Sequence, residues 1–297
     1  MTAWDRWYVA HDVEEALEIL SSAPSETLPI AGGTDLLLDL QQGRRAPVHG
    51  LVDITRIGEL SVMEQRGQEL FVGAAVPLSR VVASKLVRYH AEALVQACLQ
   101  IGGPQVRSVA TLGGNVCHAL PAADGAIALA AFDAQAEIAS RGERRRLGLM
   151  DLYLGPGRSA LDAGHDLLVG FYLHVREEGQ GSAFGRITRP QGVALAVLNC
   201  GVWLERQAGK LAKVKVVVGP SGPIPKRAQE VEEMLLGRAI SPATLIGLKE
   251  ALRCSVRFRS SPYRASAEYR QSLAEILVAQ VLMKAWESTE IQLGERA

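Results

Sequence analysis

The chain has 297 residues, 48% of them hydrophobic, and this length and composition predict a folded protein of about two domains rather than a disordered one. Its 32 lysine and arginine residues balance its 32 aspartate and glutamate residues, and a net charge of zero argues against nucleic-acid binding. The sequence contains no run of about 18 apolar residues, so it predicts no membrane span, and its first residues lack the apolar core of a signal peptide. We therefore expect a cytoplasmic protein.

The first part of the chain predicts a small β–α–β unit. Asp12 followed by Glu15 is typical of a helix start, and helical spacing of apolar residues continues to Leu20. The pattern then predicts a strand over 28–31, a short helix over 35–42 and a strand over 51–54.

The next part predicts a second unit with strands on either side of helices. The predicted strands cover 60–64, 69–73, 135–140 and 167–175, and the predicted helices cover 81–100 and 125–132. A polar segment with two glycines follows over 177–182, and we place a domain boundary there.

The second half predicts strands followed by helices. The predicted strands cover 183–188, 193–205 and 211–218, and the predicted helices cover 226–236, 242–256 and 263–287. This order is typical of an α+β domain in which a three-stranded sheet is covered by helices.

A glycine-rich turn, Ala31-Gly32-Gly33-Thr34-Asp35, lies between the strand and the short helix of the first unit. Glycine lets backbone N–H groups approach a ligand closely, and the first amides of a helix favour an anion such as phosphate. The alternative is an ordinary tight turn in which Thr34 caps the helix.

A second glycine-rich segment runs from Ile101 to Asn115 and ends in Thr111-Leu112-Gly113-Gly114-Asn115, with Asp124 nine residues further on. Threonine and asparagine can donate to phosphate or ribose oxygens, and an aspartate accepts from ribose hydroxyls. The alternative is a structural loop with Asp124 as a helix cap. Together the two turns favour a dinucleotide ligand, although neither the G-x-G-x-x-G fingerprint nor the P-loop motif is present.

Residues for catalysis or metal binding are sparse. The four cysteines and six histidines are scattered without a C-x-x-C or H-E-x-x-H pair, so we predict no metal site on this chain. No spacing predicts a nucleophile, a general acid or a general base, and we predict no catalytic side chain. A dinucleotide site without such residues indicates that a cofactor carries the chemistry.

Three sequence motifs resemble the FAD-binding (medium) subunit of the molybdenum hydroxylases, the family of xanthine dehydrogenase, carbon monoxide dehydrogenase and aldehyde oxidoreductase. They are Ile30 to Asp35, Ile101 to Asn115 and Ala119-Leu120-Pro121-Ala122-Ala123-Asp124. Segments 217–220 and 225–228 and the pair Tyr269-Arg270 resemble the C-terminal domain of the same subunit. The resemblance covers about residues 4 to 286.

The resemblance implies an α+β fold. An FAD-binding domain of the PCMH type would cover residues 1–176, with α+β subdomains over about 1–58 and 59–176. A C-terminal α+β domain with a three-stranded antiparallel sheet and helices would cover 177–297. Relatives that reduce aromatic thioesters carry an inserted loop for a [4Fe–4S] cluster, and this sequence has no such insertion.

The resemblance also implies which residues contact FAD. Ala31 to Asp35 and Thr111 to Asn115 would hold the pyrophosphate, and Asp124 with Ala123 would meet ribose or ribityl hydroxyls. Ile101 and Gly102 would lie near the adenine half or the flavin edge, Leu168 would pack on the isoalloxazine, and His118 would make a polar contact. Arg186 would replace a family lysine near the flavin, and the aspartate that relatives carry shortly after it is missing from 185–193. The full predicted set is Ala31, Gly32, Gly33, Thr34, Asp35, Ile101, Gly102, Ala110, Thr111, Gly113, Gly114, Asn115, His118, Ala123, Asp124, Leu168 and Arg186.

By the same resemblance, the chain is expected to be an oxidoreductase subunit with non-covalent FAD. It would pass electrons from the [2Fe–2S] clusters of a small partner subunit to NAD+ or another acceptor. A large partner subunit would carry molybdopterin, and the usual assembly is a dimer of heterotrimers. Purines, aldehydes, carbon monoxide and N-heterocycles all stay open as substrates of the complex. The alternatives are a self-contained FAD-dependent oxidase of related fold and a scaffold that has lost FAD.

Overall fold

The computed structural model describes residues 3–23, 26–189, 196–261 and 265–290. The first unit is a three-stranded parallel sheet with two helices. In chain order its elements are β1 (Trp4–Val9), α1 (Val13–Ser22), β2 (Thr27–Ile30), α2 (Leu36–Gln41) and β3 (Val48–Asp53). The strand order is β1–β3–β2, and α1 begins as predicted, with the Asp12 carboxylate accepting a 2.7 Å hydrogen bond from the Glu15 amide.

The second unit is built on a five-stranded antiparallel sheet. Its strands are β4 (Met63–Arg66), β5 (Glu69–Gly73), β6 (Gln135–Ser140), β7 (Glu143–Gly148) and, after the hairpin of β8 (Tyr153–Gly155) and β9 (Arg158–Ser159), β10 (Asp166–His174). The order is β4–β5–β10–β6–β7, and the central strand β10 is buried at every position except His174. Short 3-10 helices cover Gly58–Ser61 and Leu149–Leu152.

Six helices connect β5 to β6. They are α3 (Leu78–Ala83), α4 (Lys85–His90), α5 (Glu92–Gln100), α6 (Pro104–Arg107), α7 (Leu112–Cys117) and α8 (Asp124–Ala131). The prediction of one helix over 81–100 is therefore wrong. The Ser84 hydroxyl accepts from the Val87 amide at 3.2 Å and starts a new helix, and Ala91 has the non-helical angles φ −142° and ψ 59°.

The helix predicted over 125–132 is confirmed as α8, and it consists mostly of small residues. All eight of its residues are buried, and it contacts α5 and α7 of its own domain as well as the C-terminal sheet. Small side chains allow this close approach on several sides.

The C-terminal domain contains the three predicted long strands and one short additional strand. They are β11 (Gln180–Thr188), β12 (Ala196–Gln207), β13 (Lys210–Gly219) and β14 (Lys226–Arg227), paired antiparallel in that order. The helices are α9 (Gln229–Leu235), α10 (Leu248–Ser255) and α11 (Ala267–Ser288). The starts of the predicted strand 193–205 and of the predicted helix 263–287 lie partly outside the described residues.

The helix predicted over 226–236 is shorter than expected because its first residues form β14 and pair with Val217 and Val218 of β13. The helix predicted over 242–256 begins only at Leu248, after the left-handed Gly247. Among the described helices, none is both long and apolar enough to span a bilayer.

One hydrophobic cluster extends across both domains, and a second cluster lies within the C-terminal domain. Phe184 of β11 and Val217 of β13 belong to the same buried cluster as Ile127 and Leu129 of α8. The N-terminal end of α8, where Asp124 lies, is consequently held at the junction of the domains.

Candidate cofactor-binding site

The two glycine-rich turns lie against each other although they are about eighty residues apart in sequence. A Cβ on Gly32 would overlap the Val109 carbonyl oxygen and lie 2.8 Å from the Ala110 Cα. A glycine at position 32 is therefore required by the contact between the turns. The approach brings Ala31 to Asp35 and Thr111 to Asn115 together, as the dinucleotide hypothesis needs.

The first turn presents backbone N–H groups that have no acceptor in the part of the chain that the structure describes. Within the described residues, no backbone or side-chain oxygen accepts a hydrogen bond from the amides of residues 31–35. Gly33 has φ +64°, the left-handed conformation that lets consecutive amides of a turn point to one side. Thr34 does not cap α2, since the N-cap position is Asp35 and no side chain caps that helix. The turn therefore has the donors of an anion site.

The second turn differs because its helical amides are already paired. Leu112 and Gly113 donate to the Val76 and Ala74 carbonyls at 3.3 and 2.9 Å, and Gly114 donates to Thr111 Oγ1 at 3.1 Å. Contacts between this turn and a pyrophosphate stay a prediction. Atoms other than these three amides would have to make those contacts.

The adjacent glycines of the second turn have different surroundings. A Cβ on Gly113, which is buried, would lie 2.6 Å from the Ala74 carbonyl oxygen, so this glycine serves packing. A Cβ on the exposed Gly114 would meet only Thr111 Oγ1, at 3.2 Å. Of the two, Gly114 is the one that is open to solvent.

Asn115 carries a buried acceptor without a partner. Its Oδ1 accepts no hydrogen bond from any described residue, and it lies 2.7 Å from where a Cβ of Gly125 would be. A buried amide oxygen costs free energy unless a donor pairs with it. A hydroxyl of a bound ligand would supply that donor.

An ion pair links the two turns. His118, at the end of α7, lies with Nδ1 3.5 Å from Oδ2 of Asp35, at the start of α2. The hydrogen bond to Asp35 raises the pKa of His118 above its ordinary value of 6.5. The same bond lowers the pKa of Asp35 below its ordinary value of 3.8, and Arg44 lowers it further.

Because of this ion pair, the interaction between the two turns depends on pH. The His118 contribution is complete below its ordinary pKa of 6.5 and is lost as the pH rises through the raised pKa. The Asp35 contribution is complete above its ordinary pKa of 3.8 and is lost as the pH falls through the lowered pKa. We expect the stability difference between wild type and His118→Asn to shrink as the pH is raised above 7 in thermal unfolding experiments. Asp35→Asn should behave in the same way, and a difference that stays constant with pH would contradict the ion pair.

Asp124 is the most buried charged group of the predicted set. The Arg186 guanidinium donates to its Oδ2, and Asn199 Nδ2 donates to its Oδ1 at 2.7 Å. Asp124 and Arg186 expose only 7% and 8% of their side chains. Burial raises the pKa of the Asp124 carboxyl, while Arg186 and Asn199 oppose that shift.

Sequence reasoning missed Asn199. The one signal for it is an amide side chain in the middle of the apolar strand β12, at a position that is fully buried. The structure shows its partners, which lie about 75 residues earlier in the chain.

The remaining predicted residues have contacts of their own, and of these only Ala123 adjoins Asp124. Ala123 is the N-cap of α8, and the Ala110 carbonyl accepts from the Leu78 amide at 2.8 Å. The carbonyls of Ile101 and Gly102 both accept from Arg107, at 3.1 and 2.6 Å, which fixes the path of that loop. Leu168 of β10 is buried in the main core. Contacts of these residues with FAD stay predictions.

The residues present fit a dinucleotide. Free amides of the first turn suit a pyrophosphate, while Asp124 and the orphaned Asn115 oxygen suit hydroxyl groups. The fold and these residues thus define a class, an α+β protein whose donors and acceptors suit a dinucleotide.

Comparison with known families identifies the family to which this protein belongs. Residues 2–173 match the family described as FAD binding domain in molybdopterin dehydrogenase, and residues 182–285 match the CO dehydrogenase flavoprotein C-terminal domain. The chain belongs to this family and is an FAD-binding subunit of its oxidoreductases, as the sequence motifs predict.

Individual relatives match over nearly their whole length. The xanthine dehydrogenase FAD-binding subunit of Escherichia coli O157:H7 is 29% identical over 282 residues, covering 94% of this chain and 95% of the relative. The nicotine 6-hydroxylase medium subunit of Paenarthrobacter nicotinovorans is 28% identical over 273 residues, covering 92% and 94%. The crystal structure of the Cu,Mo-CO dehydrogenase in its cyanide-inactivated form has a chain of the same fold, with a TM-score of 0.89, 22% identity and coverage of 97% and 99%.

Proposed function

We propose that this chain binds FAD without a covalent bond and passes electrons from the [2Fe–2S] clusters of a small partner subunit to NAD+ or another acceptor. A large partner subunit would carry molybdopterin and act on the substrate, in a dimer of heterotrimers. The observation that carries the proposal is the set of amides at residues 31–35 that find no acceptor among the described residues, in a domain of the FAD-binding family.

The proposal assigns the parts of the site to parts of FAD. The amides of the first turn would hold the pyrophosphate, and His118 would keep the second turn beside it through Asp35. Asp124 and Asn115 would accept from ribose or ribityl hydroxyls. Bound FAD supplies the exchange of electrons, which the side chains of this site do not perform.

The chain's own residues bind and orient rather than transfer protons. Asp124 has both carboxylate oxygens engaged by Arg186 and Asn199, so it is not arranged as a general base. Arg186 would place a permanent positive charge near the flavin. The proposal also includes a cytoplasmic location, the compartment in which free thiols such as the four of this chain are kept reduced.

The first test is the flavin content of the purified full-length chain. A visible absorption spectrum followed by acid release is expected to give about one FAD per chain, since the chain matches one FAD-binding domain. A chain that takes up no flavin after incubation with FAD would contradict the proposal.

A second experiment separates electron transfer from the self-contained oxidase. Reduced holoprotein is mixed with NAD+ and, separately, with a dye acceptor, and the return of the oxidised flavin spectrum is followed. The proposal expects reoxidation by an acceptor and no reduction by xanthine, aldehydes or N-heterocycles until the partner subunits are added. Reduction of the isolated chain by one of these substrates would favour the oxidase.

A further inference from the structure

Asn199 reaches from the C-terminal domain to the start of α8. It is fully buried on β12, and its Nδ2 donates to the Ala122 carbonyl at 3.0 Å and to Asp124 Oδ1 at 2.7 Å. One amide group therefore fixes both the backbone that leads into α8 and one oxygen of the Asp124 carboxylate.

Arg186 holds the other carboxylate oxygen from the neighbouring strand. Arg186 and Asn199 are directly opposite each other in the pairing of β11 with β12, and Arg186 donates to Asp124 Oδ2. Because each oxygen has its own donor, the carboxylate cannot turn without breaking a charge-assisted hydrogen bond. Both donors belong to the C-terminal domain, so the orientation of Asp124 depends on how that domain packs against α8.

The packing around Asn199 fixes its side chain. A Cβ on Gly219, which is opposite Asn199 on β13, would lie 2.6 Å from Asn199 Oδ1 and 2.6 Å from the Pro121 carbonyl oxygen. Within the described residues, Asn199 Oδ1 is buried without a hydrogen-bond partner. An aliphatic side chain would fill this place without that cost, so the amide points to a role beyond packing.

We infer that Asn199 is a positioning residue for FAD, which holds the Asp124 carboxylate in the orientation that accepts the FAD hydroxyls. The inference rests on the proposed function, in which Asp124 makes that contact. It adds that retention of FAD depends on a side chain of the C-terminal domain as well as on the two glycine-rich turns. Asn199 acts through Asp124 and need not touch the cofactor.

The test compares two variants of Asn199 with a matched control in the full-length chain. Asn199→Ala removes the amide, and Asn199→Asp keeps the shape of the side chain but turns a negative charge toward Asp124. The control is Ser182→Ala on β11. The buried Ser182 hydroxyl also makes a hydrogen bond between the domains, accepting from the Ala93 amide at 3.2 Å, but it has no contact with Asp124. The rate of FAD dissociation is followed by the recovery of flavin fluorescence, and the melting temperature of each apoprotein is measured in parallel.

FAD is expected to dissociate about tenfold faster or more from Asn199→Ala, the effect of losing a hydrogen bond to a charged group. The isosteric Asn199→Asp, which preserves packing if the alanine variant fails to fold, is expected to show a larger increase. Ser182→Ala should stay within about twofold of wild type even if its melting temperature falls as much. Equal dissociation rates in all three variants at equal loss of melting temperature would make Asn199 purely structural and overturn the inference. A wild-type chain that binds no FAD would instead overturn the proposed function.

Discussion

Replacing Arg186 with methionine is expected to lower the free energy of unfolding by about 3–5 kcal/mol, because it leaves a buried carboxylate without its cation. The Asp124 and Arg186 side chains expose only 7% and 8% of their surface, so water cannot take the place of the guanidinium. Asn199 remains as a donor to Asp124, but a neutral amide cannot balance the charge. Urea unfolding followed by circular dichroism measures the loss, and we expect the variant to release FAD as well.

The pH dependence of this variant has a definite sign. Burial raises the pKa of the Asp124 carboxyl, and removal of Arg186 takes away the main group that opposes that shift. A protonated Asp124 carries no charge. The stability deficit of Arg186→Met is therefore expected to shrink as the pH falls toward the raised pKa.

Two controls separate the buried pair from a general loss of charge. Arg45→Met breaks the exposed pair of Arg45 with Glu26, whose side chains are 44% and 55% exposed, and should cost no more than about 1 kcal/mol. The double variant Asp124→Leu/Arg186→Met removes both charges and should regain much of the stability without regaining FAD. Similar losses in Arg186→Met and Arg45→Met would contradict the buried ion pair.

Gly32→Ala is expected to abolish measurable FAD binding and to lower the free energy of unfolding by about 1–3 kcal/mol, the usual cost of overpacking. The added methyl group would overlap the Val109 carbonyl oxygen, which is backbone and cannot swing aside. The two turns must then separate. Separation displaces the free amides of residues 31–35, on which the proposed pyrophosphate contact depends. Titration calorimetry of the apoprotein with FAD measures the first effect, and urea unfolding measures the second.

Gly58→Ala is the matched control for Gly32→Ala. A Cβ on Gly58 meets no atom within 4 Å, and its backbone is not left-handed. We expect a stability change within about 0.5 kcal/mol and unchanged FAD affinity. If Gly32→Ala binds FAD as tightly as Gly58→Ala, the turns do not form the site together.

Local patterns in the sequence identified most of the elements and the family. Asp12 marks a helix start in any context, because its short side chain caps the amide three residues later. The motifs around Gly32 and Gly113 are equally local, and they sufficed to indicate a dinucleotide site, while their resemblance to a known family indicated FAD. Local reasoning failed over 81–100, where apolar spacing continues through Ser84 and Ala91 although the helix breaks at both. Spacing alone cannot show such breaks, since the Ser84 cap and the non-helical angles of Ala91 end the helix without changing the spacing of apolar residues.

The sequence by itself determined the order of the main elements, the presence of two glycine-rich turns and the class of cofactor, because each depends on neighbouring residues. Only the tertiary structure decided which of the two turns has backbone amides available for a ligand. It left the amides of 31–35 without an acceptor among the described residues and paired those of Leu112 to Gly114 with protein acceptors. It also brought Arg186 and Asn199 to Asp124 across more than sixty residues of chain. Such contacts depend on the packing of two domains around α8, and no pattern of nearby residues encodes them.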